Sequence, residues 1–233
     1  MLTNYFANLQ KKLIKKKTSA SGAAAKKTTS KIDKKDVIKT LTGVIPSHLT
    51  VGDVKPIDEN GFAPEGSDFL IYKDYSPDIA SMMDGYIPLE LIYASCYIIP
   101  SIDKKQLLDA LSRVMSVKKI NKYSPSPDEE SFRIPAFIIA GDSGYKLRDI
   151  KNDTLNFYRN KNVDGDWEFD ILAVLGNGII VKDWREKKYI AIETGSDTFM
   201  YFYILMSEYL DVEKTIEMDF RKYVTVSKDY PEY

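Results

Sequence analysis

Residues 89–99, LELIYASCYII, form an almost continuous apolar run of strand length. A strand points successive side chains to opposite faces, so a run without a polar face describes a strand covered on both sides. Helices packed on both faces of a sheet supply that cover, and an α/β layer architecture is the first expectation, with this strand in the sheet interior. The segment that follows agrees. Asp103 is placed to cap a helix whose Leu107, Leu108, Leu111, Val114 and Met115 share one face, ending near Lys119.

The same periodicities divide the rest of the chain. Residues 2–16 place Leu2, Tyr5, Phe6, Leu9, Leu13 and Ile14 at helical spacing among lysines, an amphipathic helix expected to dock on its own domain or on a partner. Residues 18–32, small and polar around an alanine run, read as a linker or weak helix. A helix capped by Asp33 runs to the Pro46 turn. HLTVGDVKPI (48–57) and SDFLIYK (67–73) read as strands separated by the turn residues Asp58, Asn60 and Gly61. Residues 121–131 read as a surface loop. Beyond it come a strand at 134–141, a helix near 145–158, and a strand at 167–176 that turns through Gly176–Asn177–Gly178 into the strand 178–184. A last strand at 187–194 precedes an aromatic-rich helix over 198–210, whose apolar breadth means core or partner interface. The tail from Asp219 is expected to pack loosely. The domain reading is a basic helix and linker over 1–32, an α/β domain over 33–218 and a tail over 219–233.

Charge and rare residues exclude several functions. The net charge of −1 hides an asymmetry: residues 1–40 hold 11 Lys against Asp33 and Asp36, a local +9, and the remainder is −10. A basic arm on an acidic body can hold a phosphate backbone or an acidic protein surface, and Lys11, Lys12, Lys15, Lys16, Lys17, Lys26 and Lys27 are its candidate nucleic-acid contacts. One Cys excludes an internal disulfide, and one Cys with one His leaves no zinc-type cluster. Nothing approaches the ~18 consecutive apolar residues of a membrane span, and the lysine-rich start lacks the apolar core of a signal peptide. A cytoplasmic protein without membrane contact is expected.

The order helix, strand, strand, apolar strand, helix, strand is that of a restriction-endonuclease-like core, and three stretches go further than topology: VIPSHLTVGDVKPIDENG (44–61), SDFLIYKDYSP (67–77) and IPLELIYASCYIIPSIDKKQLLDAL (87–111). Over residues 33–120 they resemble a bacterial and phage family known only as domain of unknown function 6602, related to the PD-(D/E)XK nucleases. The resemblance implies a central mixed β-sheet flanked by helices. It also implies a metal site in which an Asp at the start of one strand and a Glu-x-Lys on the next bind Mg²⁺ and polarise a water. Carried over residue by residue, the leading acid is Asp68, whereas the Glu and Lys positions fall on Tyr97 and Ile99. The further acid that the family carries on its early helix has no counterpart near GAAAKK (22–27).

One carboxylate without a lysine neither holds a hard cation well nor activates water, so no cofactor is expected. The reading is a catalytically inactive nuclease-like domain acting as a protein-interaction or scaffold subunit, in a bacterial or phage defence-related setting that the resemblance supplies. Self-association through the 198–210 helix is one form of it. Two alternatives stand beside it: a Mg²⁺-dependent nuclease with displaced residues drawn from Glu65, Lys73, Asp74 and Glu90, and a non-cleaving nucleic-acid binder using the basic arm. Glu90 reads as structural, and Asp68 alone can simply terminate a strand. His48 reads as a surface residue, Cys96 as a small buried hydrophobe, and GDSG (141–144) as a turn.

Overall fold

The computed structural model describes residues 2–18, 28–74, 78–120, 133–211, 220–223 and 229–233. In chain order its elements are α1 (Leu2–Leu13), β1 (Lys15–Thr18), β2 (Thr28–Lys31), α2 (Lys34–Thr42), β3 (Leu49–Gly52), β4 (Lys55–Ile57), β5 (Phe69–Lys73), α3 (Ile79–Met82), β6 (Tyr86–Pro88), β7 (Ile92–Ile99), α4 (Lys104–Lys118), β8 (Ala136–Gly141), α5 (Leu147–Asn160), β9 (Ile171–Leu175), β10 (Gly178–Asp183), β11 (Lys188–Ile192) and α6 (Thr198–Leu210). Seven strands form one sheet in the order β11-β10-β9-β8-β7-β5-β3. The pairs β7/β8 and β8/β9 are parallel, joined through the crossovers α4 and α5, and the flanking pairs are antiparallel.

The apolar run on β7 lies in the sheet interior, where its two side-chain rows enter different cores. Ala94, Cys96 and Ile98 pack with Phe199 and Phe202 of α6, Phe6 of α1 and Val37 of α2. Tyr97 and Ile99 pack with Leu107, Leu111 and Val114 of α4 and Ile150 of α5. Both rows are apolar because both faces carry helices. A smaller core of Leu70, Tyr72, Ile87, Leu89 and Ile92 fills one end of the sheet, next to the parallel pair β4–β6.

Several local rules operate as expected. Asp33 accepts a hydrogen bond from the Lys35 amide and Asp103 from that of Gln106, each capping its helix. Gly176, at φ 90°, makes the β9–β10 turn. Gly178 has to be glycine because a Cβ there would lie 2.4 Å from the Ile192 carbonyl oxygen.

Other expectations fail for identifiable reasons. The span 48–57 is two strands in different sheets, because the chain leaves the main sheet at Asp53–Val54 and Pro56 can offer no amide to a ladder. The span 18–32 is not helical where it is described: β1 pairs with β2 as an antiparallel ribbon, Lys15 opposite Lys31 and Thr18 opposite Thr28, and the alanine run lies outside the described residues. The last residues are not loose. Ile192 of β11 bridges Glu232, Tyr233 exchanges backbone hydrogen bonds with Ala191, and the Glu193 amide bonds the Pro231 carbonyl, so residues 231–233 lie along β11.

The helix α1 docks on its own domain, burying Phe6 and Leu13. The Phe6 ring lies 4.7 Å from that of Tyr203 and 6.1 Å from that of Phe199. Asp197 makes no side-chain cap at the start of α6, and Gln10 supplies one from α1: its Oε1 accepts from the Phe199 amide at 2.8 Å while its Nε2 donates to the Gly195 carbonyl at 3.0 Å. This accounts for the apolar breadth of α6. Phe199, Met200, Phe202, Tyr203, Ile204, Met206 and Leu210 are buried inside the protomer, so these side chains belong to its core, while Tyr201, Leu205 and Tyr209 are half-buried. The large apolar side chains left exposed among the described residues are Tyr5, Phe62, Met82, Met83 and Tyr233.

Candidate functional site

Asp68 stands one residue before β5, where its amide bonds the Cys96 carbonyl of β7 at 2.8 Å. This register sets its carboxylate beside the second half of β7. There Oδ2 accepts two short hydrogen bonds, one from the Ile98 amide at 2.6 Å and one from Arg113 Nη2 of α4, also at 2.6 Å. Arg113 Nε donates to the Gly66 carbonyl at 2.8 Å, and its guanidinium carbon lies 5.6 Å from the centre of the Tyr97 ring. The two side chains are about a quarter exposed, 25 % for Asp68 and 27 % for Arg113. Gly66, with φ 147°, lets the backbone pass against α4, since a Cβ there would meet the Arg113 carbonyl oxygen at 3.0 Å.

Tyr97 and Ile99 project from β7 toward α4 and α5. Tyr97 is fully buried, and its hydroxyl donates to Ser95 Oγ, which donates to the Pro135 carbonyl, both at 3.3 Å. Burial pushes its phenol far above the ordinary range, with Ser95 and Arg113 pulling weakly the other way. Ile99 packs among the residues of α4 and α5 and is 2 % exposed. The sequence-assigned positions are therefore neighbours in space: an acid bound by a guanidinium, a phenol beneath that guanidinium, and an aliphatic side chain. Cys96, on the other face, is buried, and burial followed by the Asp68 charge raises its thiol.

The other acids and bases do not converge on Asp68. Glu65 is exposed and pairs with Lys55, and Glu90 is exposed on the short turn before β7. Lys73 ends β5 at the end opposite to Asp68, and Asp74 lies 3.4 Å from Thr50. His48 is exposed. Asp142 accepts from the Gly144 amide and Ser143 donates to the Ile102 carbonyl, so GDSG is a turn. Among the described residues, no group of three or more His, Cys, Asp or Glu side chains could hold a metal ion. Of the arm lysines, Lys11 and Lys12 are exposed at the end of α1, Lys15, Lys16 and Lys17 form most of β1, and Lys26 and Lys27 lie outside the described residues.

The sequence does not single out Arg113, because a cation on the flank of an amphipathic helix is ordinary and its partner Asp68 lies 45 residues away. Nor does it single out a second polar cluster. Lys118 Nζ meets Asp170 Oδ2 at 2.7 Å with side chains 1 % and 5 % exposed, and Asp170 also accepts from the Ala136 amide and Trp184 Nε1. Lys182 Nζ donates to Glu168 at 2.5 Å and to the Gly165 carbonyl at 2.7 Å, and lies 4.0 Å from the Trp184 ring centre. Burial lowers the Lys182 ammonium, and Glu168 opposes that shift. Two acids matched by two lysines make a neutral, closed set that ties the loop before β9 to α4 and β10.

The sheet order and the mixed strand directions define the fold class: this is an α/β protein with a restriction-endonuclease-like fold. Solved structures place it more narrowly in fold. P. aeruginosa NucC in its cAAA-bound form superposes with TM-score 0.66 at 15 % identity, covering 90 % of each chain. E. coli NucC in its apo form gives 0.63 at 17 %, covering 89 % of this chain and 91 % of that one, and the cAAA-bound form of E. coli NucC gives 0.58 at 17 % over 75 % of each. No family model matches the chain, and no curated protein does. The relation therefore rests on the fold.

Proposed function

We propose that this chain is a non-cleaving member of the restriction-endonuclease-like fold that acts as a binding or scaffold subunit, within a bacterial or phage defence-related system. One observation carries the reading: the Asp68 oxygen that faces β7 is already held by Arg113 and the Ile98 amide. A divalent cation would have to displace a guanidinium from a 2.6 Å contact, with no second acid at Tyr97 to compensate it and no ammonium at Ile99 to polarise a water. The defence setting is supported by the fold shared with NucC and by the resemblance carried in residues 33–120.

The test is incubation of the full chain with plasmid DNA and with single-stranded RNA in Mg²⁺ or Mn²⁺, with EDTA controls, alongside calorimetric Mg²⁺ titration. Intact substrates and no measurable Mg²⁺ heat are expected. EDTA-sensitive cleavage that disappears in Asp68→Ala would establish the displaced-residue nuclease instead. For the scaffold role, self-association is read by light scattering. Since Phe202 belongs to the core of its own protomer, Phe202→Ala should lower the melting temperature without changing the molar mass of the remaining folded species.

A further inference from the structure

We infer that the recess between the end of α5 and the β10–β11 turn is a binding site for the phosphate monoester of a small polyol. This goes beyond the reading of the Asp68 site and does not depend on it. The recess has a volume of about 260 Å³. Drug-sized ligands occupy roughly 300–1,000 Å³, so a compact molecule fits it. Leu155, Tyr158 and Arg159 line it from α5, at the i, i+3 and i+4 spacing that aligns side chains, and Asn162 follows in the turn after the helix. Glu168 enters from the loop before β9, Lys187 from the turn into β11, and Tyr189 from β11 itself.

The base of the recess is fixed. Tyr158 and Tyr189 are each 4 % exposed with their rings stacked at 6.3 Å, and the Tyr158 hydroxyl accepts from the Phe169 amide at 3.2 Å. Glu168 Oε2 accepts from Lys182 Nζ at 2.5 Å and from the Tyr189 hydroxyl at 2.9 Å, whereas Oε1 has no donor among the described residues.

The charge balance selects an anion. Lys182 already matches Glu168, while Arg159 and Lys187 are exposed and form no ion pair among the described residues, so two uncompensated cations border the recess. Lys187 also holds a left-handed backbone at φ 52°, as does Asn162 at φ 47°. That conformation is strained for a lysine, and strain of this kind collects at binding sites. A phosphate monoester brings close to two negative charges on one group at neutral pH, which suits a guanidinium fork beside an ammonium. The free Glu168 oxygen selects the rest of the ligand: it repels a second acid and accepts from a hydroxyl, so a polyol body is favoured over a dicarboxylate.

The experiment is calorimetric titration of the full chain with glycerol 3-phosphate, inorganic phosphate, glycerol and succinate at constant ionic strength, alongside tryptophan fluorescence. Trp167 precedes Glu168 and the Trp184 ring lies 4.0 Å from Lys182 Nζ, so both tryptophans of the chain report on this site. Glycerol 3-phosphate should change their emission and bind at least ~10-fold more tightly than inorganic phosphate or succinate, and glycerol should not bind. Arg159→Gln and Lys187→Gln should each weaken binding at least ~10-fold, the loss of one hydrogen bond to a charged group. Arg148→Gln, at the other end of α5, should leave it unchanged. All three side chains are exposed, so the variants should melt with the parent.

The proposal is overturned if glycerol 3-phosphate at about 10 mM gives no binding, or if inorganic phosphate or succinate binds as tightly. Equal losses in Arg148→Gln and Arg159→Gln would also overturn it, by showing non-specific attraction to a basic surface. These titrations are made without Mg²⁺, so their failure leaves the reading of the Asp68 site untouched.

Discussion

Replacing Asp68 separates a structural acid from a catalytic one by the sign of the stability change. Carboxylates kept for catalysis commonly cost a fold stability, so their removal is neutral or stabilising. In this structure Asp68 binds a guanidinium and a backbone amide at 2.6 Å each, in a setting about three-quarters buried. Breaking a fully buried pair costs about 3–5 kcal/mol, and an exposed pair contributes about 0.2–1 kcal/mol. At 25 % and 27 % side-chain exposure the Asp68–Arg113 coupling falls between these limits, at about 1–2 kcal/mol. Asp68→Ala also leaves the Ile98 amide without its acceptor, which brings its total to about 2–3 kcal/mol. The assay is urea unfolding of the parent, Asp68→Ala, Arg113→Ala and the double variant, which yields the coupling from the cycle. At roughly 2–4 °C per kcal/mol for a chain of this size, Asp68→Ala should melt about 4–12 °C lower. An Asp68→Ala protein as stable as the parent, or one in which Mg²⁺ raises the parent's melting temperature and not the variant's, would refute the structural assignment.

Three further outcomes follow from the geometry. Lys118→Met strands the Asp170 carboxylate, whose side chain is 5 % exposed, and should cost about 3–5 kcal/mol in chemical denaturation; adding Asp170→Leu should recover only part of it, because the Ala136 amide and Trp184 Nε1 then lose their acceptor. Gln10→Ala removes the acceptor that α1 lends to α6 and should cost about 1–2 kcal/mol, with faster hydrogen exchange at the Phe199 amide as its local signature. The Asp153 carboxyl is held below its usual range, first by the Lys104 ammonium and then by the Tyr145 hydroxyl. Its folded value is therefore the lower one, so its contribution is present above the unfolded carboxyl range and is lost as pH falls through the folded value. Melting curves of Asp153→Asn should accordingly converge with those of the parent in strong acid and separate above about pH 4.

The local elements were legible wherever a residue acts on its own neighbours. Asp33 and Asp103 cap the helices they precede, the Gly176–Asn177 turn joins β9 to β10, and α6 begins and ends at Thr198 and Leu210 as its composition indicates. The ribbon β1–β2 was not legible, because lysines and threonines carry no apolar alternation and the partner strand lies ten residues beyond. Nor was the identity of what covers α6: a helix apolar on most sides can be core or interface, and Gln10, 189 residues away from Phe199, decided for core.

The resemblance over residues 33–120 implied that two further site positions fall on Tyr97 and Ile99; the primary structure alone indicated that an apolar strand at 89–99 needs helices on both faces and that Asp68 leads another apolar strand. Those conclusions depend on side-chain chemistry and on periods of two and 3.6 residues, which are properties of neighbours along the chain. What became of the Asp68 charge was settled only by packing. Arg113 lies 45 residues away, and it reaches the carboxylate because α4 crosses back over β7 and Gly66 lets the two backbones close. An ion pair depends on distance in space, and the tertiary fold alone sets that distance.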